Sequence, residues 1–133
     1  MLDDVRITDA MVASVPRLIA VYRFGSSASG DARPDSDVDI AFLAISRLDP
    51  VVRFNLQEEL AVQLHRSVDL VDLRAASTVM RMQVISTGIP ILTVDDGERE
   101  RFETYTYSAY ARLNEERREI LNQVRREGRV YDG

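Results

Sequence analysis

The stretch GSSASGDARPDSDVDI, residues 25–40, decides the fold assignment because it holds two polar features between apolar segments. The first feature is the pair Gly25-Ser26, which directly follows a short apolar run. Glycine allows a bound group to approach the backbone closely, and serine adds a hydroxyl to backbone N–H groups that can face phosphates. We therefore interpret Gly25 and Ser26 as a candidate phosphate-binding turn.

The second feature is the pair Asp37 and Asp39 at the start of an apolar segment. Alternate side chains of a strand share one face, so both carboxylates are expected to point the same way while Val38 faces the opposite side. Two such charges repel unless a cation lies between them, and Mg²⁺ prefers carboxylate and phosphate oxygens. Alone, Gly-Ser indicates a turn and Asp-x-Asp a solvated loop. Together at this spacing they predict a nucleotide and metal site.

Hydrophobic periodicity on both sides of this stretch predicts alternating strands and helices, which is an α/β pattern. Strands are expected at 20–24, 37–45, 68–73 and 89–94, with 37–45 in the centre of the sheet. Helices are expected at 8–19, from Asp49-Pro50 to about His65, from a cap at Ser77 to Gly88, and at about 98–127. Asp95-Asp96-Gly97 is typical of a turn. We expect one domain over 1–133, with a core at about 8–96.

Composition excludes several classes of function. The chain has 133 residues and a net charge of −5. It has no cysteine, so disulfides, thiolate metal sites and cysteine nucleophiles are excluded. The acidic balance argues against direct binding to nucleic acid or to anionic membranes. There is no signal-like start and no apolar run near the roughly 18 residues that a bilayer requires. We expect a cytoplasmic protein.

Residues 25–40 closely resemble the signature of the DNA polymerase beta-like nucleotidyltransferase superfamily, and more narrowly that of the minimal nucleotidyltransferases. The resemblance implies a nucleotidyltransferase fold, a small mixed central sheet flanked by helices, here followed by a long C-terminal helix. It also implies ATP as the substrate and a two-metal Mg²⁺ site. Asp37 and Asp39 would be metal ligands and catalytic residues, and Gly25 and Ser26 would bind the nucleotide.

The family carries a third carboxylate on a following strand. Asp69 and Asp72 both qualify by type and lie on opposite faces of that strand, so only one can join the site. The family pattern favours Asp69 as third metal ligand and possible base, and we expect Asp72 to lie near the surface. Ser29 stands where many minimal nucleotidyltransferases have Arg, and Arg33 in the same loop is the candidate nucleotide-binding replacement.

Related minimal nucleotidyltransferases are antitoxins that transfer AMP to a tyrosine of a HEPN-domain ribonuclease toxin. The resemblance therefore implies a protein adenylyltransferase whose partner is such a toxin. Its narrow apolar stripe makes the helix at about 98–127 our candidate docking surface, although a solvated helix along the domain is the other interpretation. Two alternatives are an antitoxin that acts by binding alone, and a nucleotidyltransferase that modifies a small molecule or RNA with a separate acceptor-binding subunit.

Overall fold

The computed structural model describes residues 4–26 and 37–131, with side chains as far as Glu127. Within these ranges four strands form one sheet in the order β3-β2-β1-β4. The strands are β1 (Leu18–Phe24), β2 (Val38–Ala44), β3 (Val68–Asp72) and β4 (Ile89–Thr93). β2 and β3 are parallel, whereas β1 is antiparallel to both β2 and β4. The mixed sheet with the 37–45 segment in its interior is therefore confirmed.

Four helices of the described ranges cover the two faces of this sheet: α1 (Asp4–Ser14), α2 (Pro50–Leu64), α3 (Thr78–Thr87) and α4 (Asp96–Tyr131). α1 and α2 pack on the face that carries Val38, Ile40 and Phe42. Residues of α3 and α4 pack on the other face, against Ala41 and Leu43. β2 is buried on both faces, which explains why its sequence is an almost continuous apolar run.

The predicted starts of α2 and α3 are confirmed by their caps. The Asp49 carboxylate accepts hydrogen bonds from the backbone N–H groups of Val51 and Val52, and Pro50 occupies the first helical position, where no N–H is needed. The Ser77 hydroxyl accepts from the N–H of Met80. At the end of α2, His65 adopts a left-handed conformation and its N–H bonds to Val62. These local signals fix both helices relative to the sheet.

The helix predicted at 8–19 was wrong at both ends. α1 begins at Asp4 and ends at Ser14, and Leu18 and Ile19 belong to β1. Pro16 has no N–H to continue the helix, and Arg17 has a φ of +53°, which turns the chain into the strand. At the N-terminal end, Ile7 and Met11 are both fully buried and lie one turn apart. The apolar stripe therefore extends one turn further back than the prediction allowed.

The turn predicted at Asp95-Asp96-Gly97 is instead the start of α4. The Asp95 carboxylate accepts a hydrogen bond from the N–H of Glu98 at 3.1 Å, and its carbonyl accepts from Arg99. This is N-cap chemistry, so Asp96 and Gly97 form the first turn of the helix rather than a separate turn. Among the described helices, none is long and apolar enough to cross a membrane.

Candidate active site

The ends of three neighbouring strands meet at one edge of the sheet and bring the predicted site residues together. β1 ends at Phe24, whose register partner on β2 is Asp39. β2 and β3 run parallel, and Asp39 is also the register partner of Asp69. Gly25 follows Phe24 directly, and Asp37 immediately precedes β2. The sheet therefore places Gly25, Asp37, Asp39 and Asp69 at a single edge, although their sequence positions span 45 residues.

Both strand carboxylates lie on the sheet face covered by α3 and α4. Asp39 alternates with Val38 and Ile40, which are buried against the α1 and α2 side. Asp69 shares its face with Val71, which packs in the cluster on the α3 and α4 side. Asp39 is partly buried, whereas Asp37 and Asp69 are exposed. The cluster therefore has one sheltered carboxylate and two that solvent and substrates can reach.

Gly25 packs its backbone directly against the Asp39 side chain. Its φ is +67°, a left-handed conformation that favours glycine. A Cβ atom at this position would collide with Oδ2 of Asp39 and would lie 3.2 Å from its Cγ. The turn and the carboxylate therefore form one unit in which only glycine fits, and Ser26 follows it as a half-buried residue. A group bound to the Asp39 carboxylate would lie close to the backbone of this turn.

The electrostatics of the cluster indicate a need for positive charge. Burial raises the pKa of Asp39, and the negative charges of Asp69 and Asp37 raise it further. The charges of Asp37 and Asp69 therefore make ionisation of Asp39 less favourable in the absence of a cation. Oxygen donors held in this way are the ligands that Mg²⁺ takes in phosphoryl-transfer sites, so the residues present fit the metal that the resemblance implied.

The three carboxylates are neighbours without forming a finished coordination shell. Over residues 4–26 and 37–131, no three acidic or histidine side chains converge closely enough to constitute a complete metal site. Nevertheless, Asp37 and Asp69 are close enough to shift the pKa of Asp39. That proximity suits a Mg²⁺ site, because metal sites of this kind are completed by water and by substrate phosphates rather than by protein ligands alone.

The structure distinguishes Asp69 from Asp72. Asp69 is exposed at the site edge, whereas Asp72 is only 4% exposed and lies on the opposite face of β3. The prediction that Asp72 lies near the surface was wrong. Its carboxylate accepts hydrogen bonds from the backbone N–H groups of Leu48 at 2.8 Å and Arg74 at 3.0 Å. Asp72 thus fixes two loops. Its hydrogen bond to the N–H of Arg74, two positions later, is typical of aspartate in turns and is therefore a local signal in the sequence.

Two predictions fall on residues outside the described ranges. Arg33, the candidate nucleotide-binding residue, and Ser29, at the position where Arg is common, both belong to residues 27–36. Their expected roles stay predictions. The polar residues that sequence analysis did not assign to any function include Arg74 and Arg81, which form a cleft at the other edge of the sheet.

Comparison with known proteins agrees with this geometry. Residues 8–97 match the family described as polymerase beta, nucleotidyltransferase. The match spans most of the chain and includes β1 to β4 together with the Gly25, Asp37, Asp39 and Asp69 edge. The chain belongs to this nucleotidyltransferase family.

Particular relatives narrow the comparison. The chain is 38% identical over 123 residues to the protein adenylyltransferase MntA of Shewanella oneidensis, covering 92% of this chain and 88% of the relative. It is similar to a crystal structure of a toxin–antitoxin with AMP-PNP, with a TM-score of 0.85, 38% identity and coverage of 92% and 98%. It is also similar to a re-refined structure of the tri-AMPylated Shewanella oneidensis HEPN toxin in complex with MNT antitoxin, with a TM-score of 0.77, 36% identity and coverage of 91% and 94%.

Proposed function

We propose that this chain is a protein adenylyltransferase antitoxin, which transfers AMP from ATP to a tyrosine hydroxyl of a HEPN ribonuclease toxin and so neutralises it. The observation that carries the proposal is the edge at which Gly25, Asp37, Asp39 and Asp69 meet. Similarity to a protein adenylyltransferase over 92% of the chain supports the choice of reaction and of partner class.

In this proposal Asp37, Asp39 and Asp69 would hold two Mg²⁺ ions, and the triphosphate of ATP would bind beside them. Bound Mg²⁺ supplies charge neutralisation for the phosphates and for the pyrophosphate that leaves. The Gly25-Ser26 turn contributes backbone N–H groups and a hydroxyl to the phosphates, and we expect Arg33 to add a cation. Because no Cβ separates the turn from Asp39, both can contact the same bound nucleotide. The site thus aligns the α-phosphate with an incoming oxygen.

Asp69 is the residue that we assign to the acceptor side. Of the register partners Asp39 and Asp69, Asp69 is the exposed carboxylate, whereas Asp39 is partly buried against the Gly25 turn. A tyrosine hydroxyl has a pKa near 10, so a neighbouring carboxylate assists by accepting its proton as the bond to phosphorus forms. The leaving pyrophosphate departs on the opposite side of the α-phosphate. Exposure makes Asp69 accessible to a residue that another protein supplies.

The C-terminal half of α4 is our proposed docking surface for the toxin. α4 starts beside Ile19, at the sheet edge remote from the site, and its Glu103 accepts a hydrogen bond from the Tyr22 hydroxyl at 3.0 Å. The eight residues of α4 up to Glu103 rise about 12 Å along the helix. This length is close to the roughly 10 Å from Ile19 to Tyr22 along β1. α4 therefore advances toward the edge that carries Gly25 and Asp39.

Beyond Asn114 the helix leaves the body of the protein. Every side chain from Glu115 to Glu127 is exposed, over a length of about 20 Å. Ile120, Leu121 and Val124 form an apolar stripe there and are 57% to 60% exposed. Exposure of such an apolar stripe to water is unfavourable, and binding of another surface over it removes that cost. A toxin bound to the stripe would lie on the side of the protein that carries Asp37, Asp39 and Asp69 (the carboxylate edge), so that its tyrosine could reach Asp69.

The test combines the toxin, ATP and Mg²⁺ with the wild-type chain or with Asp37→Asn/Asp39→Asn. We expect the intact mass of the toxin to rise by one or more AMP units with the wild type only, together with loss of its ribonuclease activity. Asp9→Asn, an exposed acid on α1, is the matched control and should behave as wild type. Neutralisation without a mass change would favour an antitoxin that acts by binding alone. Labelling of RNA or a small molecule would favour a nucleotidyltransferase that acts on such an acceptor with a separate subunit.

A further inference from the structure

A cleft of about 180 Å³ lies at the end of the sheet opposite the carboxylate edge. Its lining residues are Arg74, Arg81, Glu98, Arg101, Phe102 and Tyr105. Arg74 donates through Nε to the carbonyl of Ala44, the last residue of β2, at 2.8 Å. Ala44 lies five positions after Asp39 along β2, so the cleft is roughly 16 Å from the candidate active site. It cannot take part in the AMP transfer and needs its own explanation.

The two central arginines of the cleft are held rigidly. Arg81 donates through Nε to the carbonyl of Leu73 at 2.7 Å and through Nη2 to that of Arg74 at 3.1 Å. Both guanidinium carbons lie 5.3 Å from the centre of the Phe102 ring, which is 5% exposed. Such contacts fix the orientation of a guanidinium without neutralising its charge, because backbone carbonyls and aromatic rings carry no net charge.

The charge of the cleft is not balanced by its own carboxylates. Arg101 is bound to Glu98 and has Asp95 and Glu100 nearby, so it is already compensated. Arg74 and Arg81 line the cleft; Arg47 lies outside its lining but close enough to add to the positive charge around Arg81, and Asp72 is close enough to offset it. Both Asp72 oxygens already accept backbone N–H groups. Three cations and one carboxylate leave a formal excess of two positive charges in a chain whose net charge is −5.

Crowding of these cations is unfavourable in the protein alone. Burial lowers the pKa of Arg81, and the charges of Arg74 and Arg47 lower it further. In addition, the terminal Nη groups of Arg74 have no hydrogen-bond partner among the described residues. Fixed guanidinium groups with free N–H donors match the geometry of an oxyanion with several acceptor oxygens. A doubly charged anion would offset the excess more fully than a single carboxylate.

We propose that this cleft is a binding site for a phosphate dianion, held by Arg74 and Arg81, with the charge of Arg47 nearby. The space exceeds one phosphate, since 180 Å³ corresponds to about six water molecules at liquid density. Tyr105 lies at the rim and is 65% exposed, which offers a ring for a nucleoside to stack on. The phosphate can therefore come free in solution or as part of a nucleoside monophosphate. This site is independent of the AMP transfer proposed above.

The test is calorimetric titration of the full chain carrying Asp37→Asn/Asp39→Asn, in EDTA at pH 8, with inorganic phosphate or with AMP. This background removes nucleotide binding at the carboxylate edge. We expect saturable binding. Arg47→Gln removes one positive charge and should weaken binding about three- to fivefold. This variant should fold normally, because Arg47 is exposed and its loss disturbs no described hydrogen bond. Arg81→Lys keeps the charge but loses the fork, and it should weaken binding about tenfold. Arg118→Gln on the exposed part of α4 is the matched control and should change nothing.

The two phosphate sources give different results, and each supports the site. Tighter binding of AMP than of phosphate, lost in Tyr105→Ala, identifies a nucleotide, whereas equal binding identifies free phosphate. The proposal is overturned if neither probe binds saturably, or if Arg47→Gln and Arg81→Lys bind as the background does while their thermal unfolding is unchanged. Equal competition by acetate would also overturn it, because the site would then accept any oxyanion.

Discussion

Asp39 on β2 and Asp69 on β3 are register partners on adjacent parallel strands, 30 positions apart in the sequence and side by side in the sheet. The charge of Asp69 raises the pKa of Asp39, next in importance after burial. The pairing explains why an acid in β3 belongs with an acid pair in β2. It also separates Asp69 from Asp72, whose side chain lies on the other face.

Substitution of Asp69 and Asp72 should therefore give opposite phenotypes. Asp69→Asn should reduce AMP transfer on the order of a hundredfold or more, with a change in unfolding free energy within about 0.5 kcal/mol. Asp72→Asn should cost about 2 kcal/mol of stability, because two partly buried backbone N–H groups lose a charged acceptor. Denaturant unfolding and the initial rate of toxin labelling, measured on both variants, check this. Equal loss of activity at equal stability would contradict the assignment.

Neutralising Asp39 should stabilise the metal-free protein. Its carboxylate is partly buried beside two other negative charges, so its ionised form is unfavourable in the folded state without a cation. We expect Asp39→Asn to raise stability by about a few tenths of a kcal/mol in EDTA, because solvent screens a partly exposed carboxylate, while abolishing transfer. Thermal unfolding with and without Mg²⁺ is the measurement. Added Mg²⁺ and ATP should raise the midpoint of the wild type and leave Asp39→Asn nearly unchanged.

Gly25 should tolerate no side chain. Gly25→Ala introduces a Cβ into the Asp39 carboxylate at a left-handed φ and should cost more than about 1 kcal/mol, with loss of transfer. Gly97→Ala is the matched control, since a Cβ in that first turn of α4 would come no closer than 3.6 Å to any atom beyond its chain neighbours and its own helix backbone. Alanine favours the helix by about 0.5–1 kcal/mol, so this variant should be more stable. Thermal unfolding of both variants separates the two outcomes.

The part of the fold that can be predicted from the sequence differs along the chain. Asp49-Pro50 and Ser77 specify their helices through local hydrogen bonds, so both starts could be predicted from a few residues. The end of α1 depends on the left-handed Arg17, and no pattern of apolar residues predicts a backbone angle. Asp95 shows the same limit, because Asp-Asp-Gly suits both a turn and a helix cap.

More can be predicted from the sequence about the residues of the candidate site than about the residues around it. Strand alternation places Asp37 and Asp39, and the resemblance points to Asp69 rather than Asp72. The sequence alone could not show that Asp72 is buried, because its partners Leu48 and Arg74 are brought to it by the fold. For the same reason the cleft around Arg74, Arg81 and Phe102 has no sequence signature.

The Tyr22–Glu103 hydrogen bond gives a pH-dependent prediction for the attachment of α4. Burial, reinforced by Glu103, raises the pKa of Tyr22 well above its ordinary 10.0. The hydroxyl therefore stays neutral in the folded state while it ionises in the unfolded chain, so stability present below pH 10 is lost as the pH rises above it. Tyr22→Phe should cost about 1 kcal/mol at pH 7, and the difference from wild type should narrow above pH 10. Denaturant unfolding at pH 7 and 10.5 measures it, and a constant difference would argue against this origin.

The origin of the transferred group is the most direct test of the proposed chemistry. Toxin, Mg²⁺ and the wild-type chain are incubated in parallel with ATP labelled at the α-phosphate and ATP labelled at the γ-phosphate. Nucleotidyl transfer at the Asp37, Asp39 and Asp69 edge predicts that the toxin acquires the α-label alone, that the γ-label leaves as pyrophosphate, and that Asp69→Asn suppresses the labelling. Transfer of the γ-label to the toxin, or α-labelling that persists in Asp37→Asn/Asp39→Asn, would contradict it.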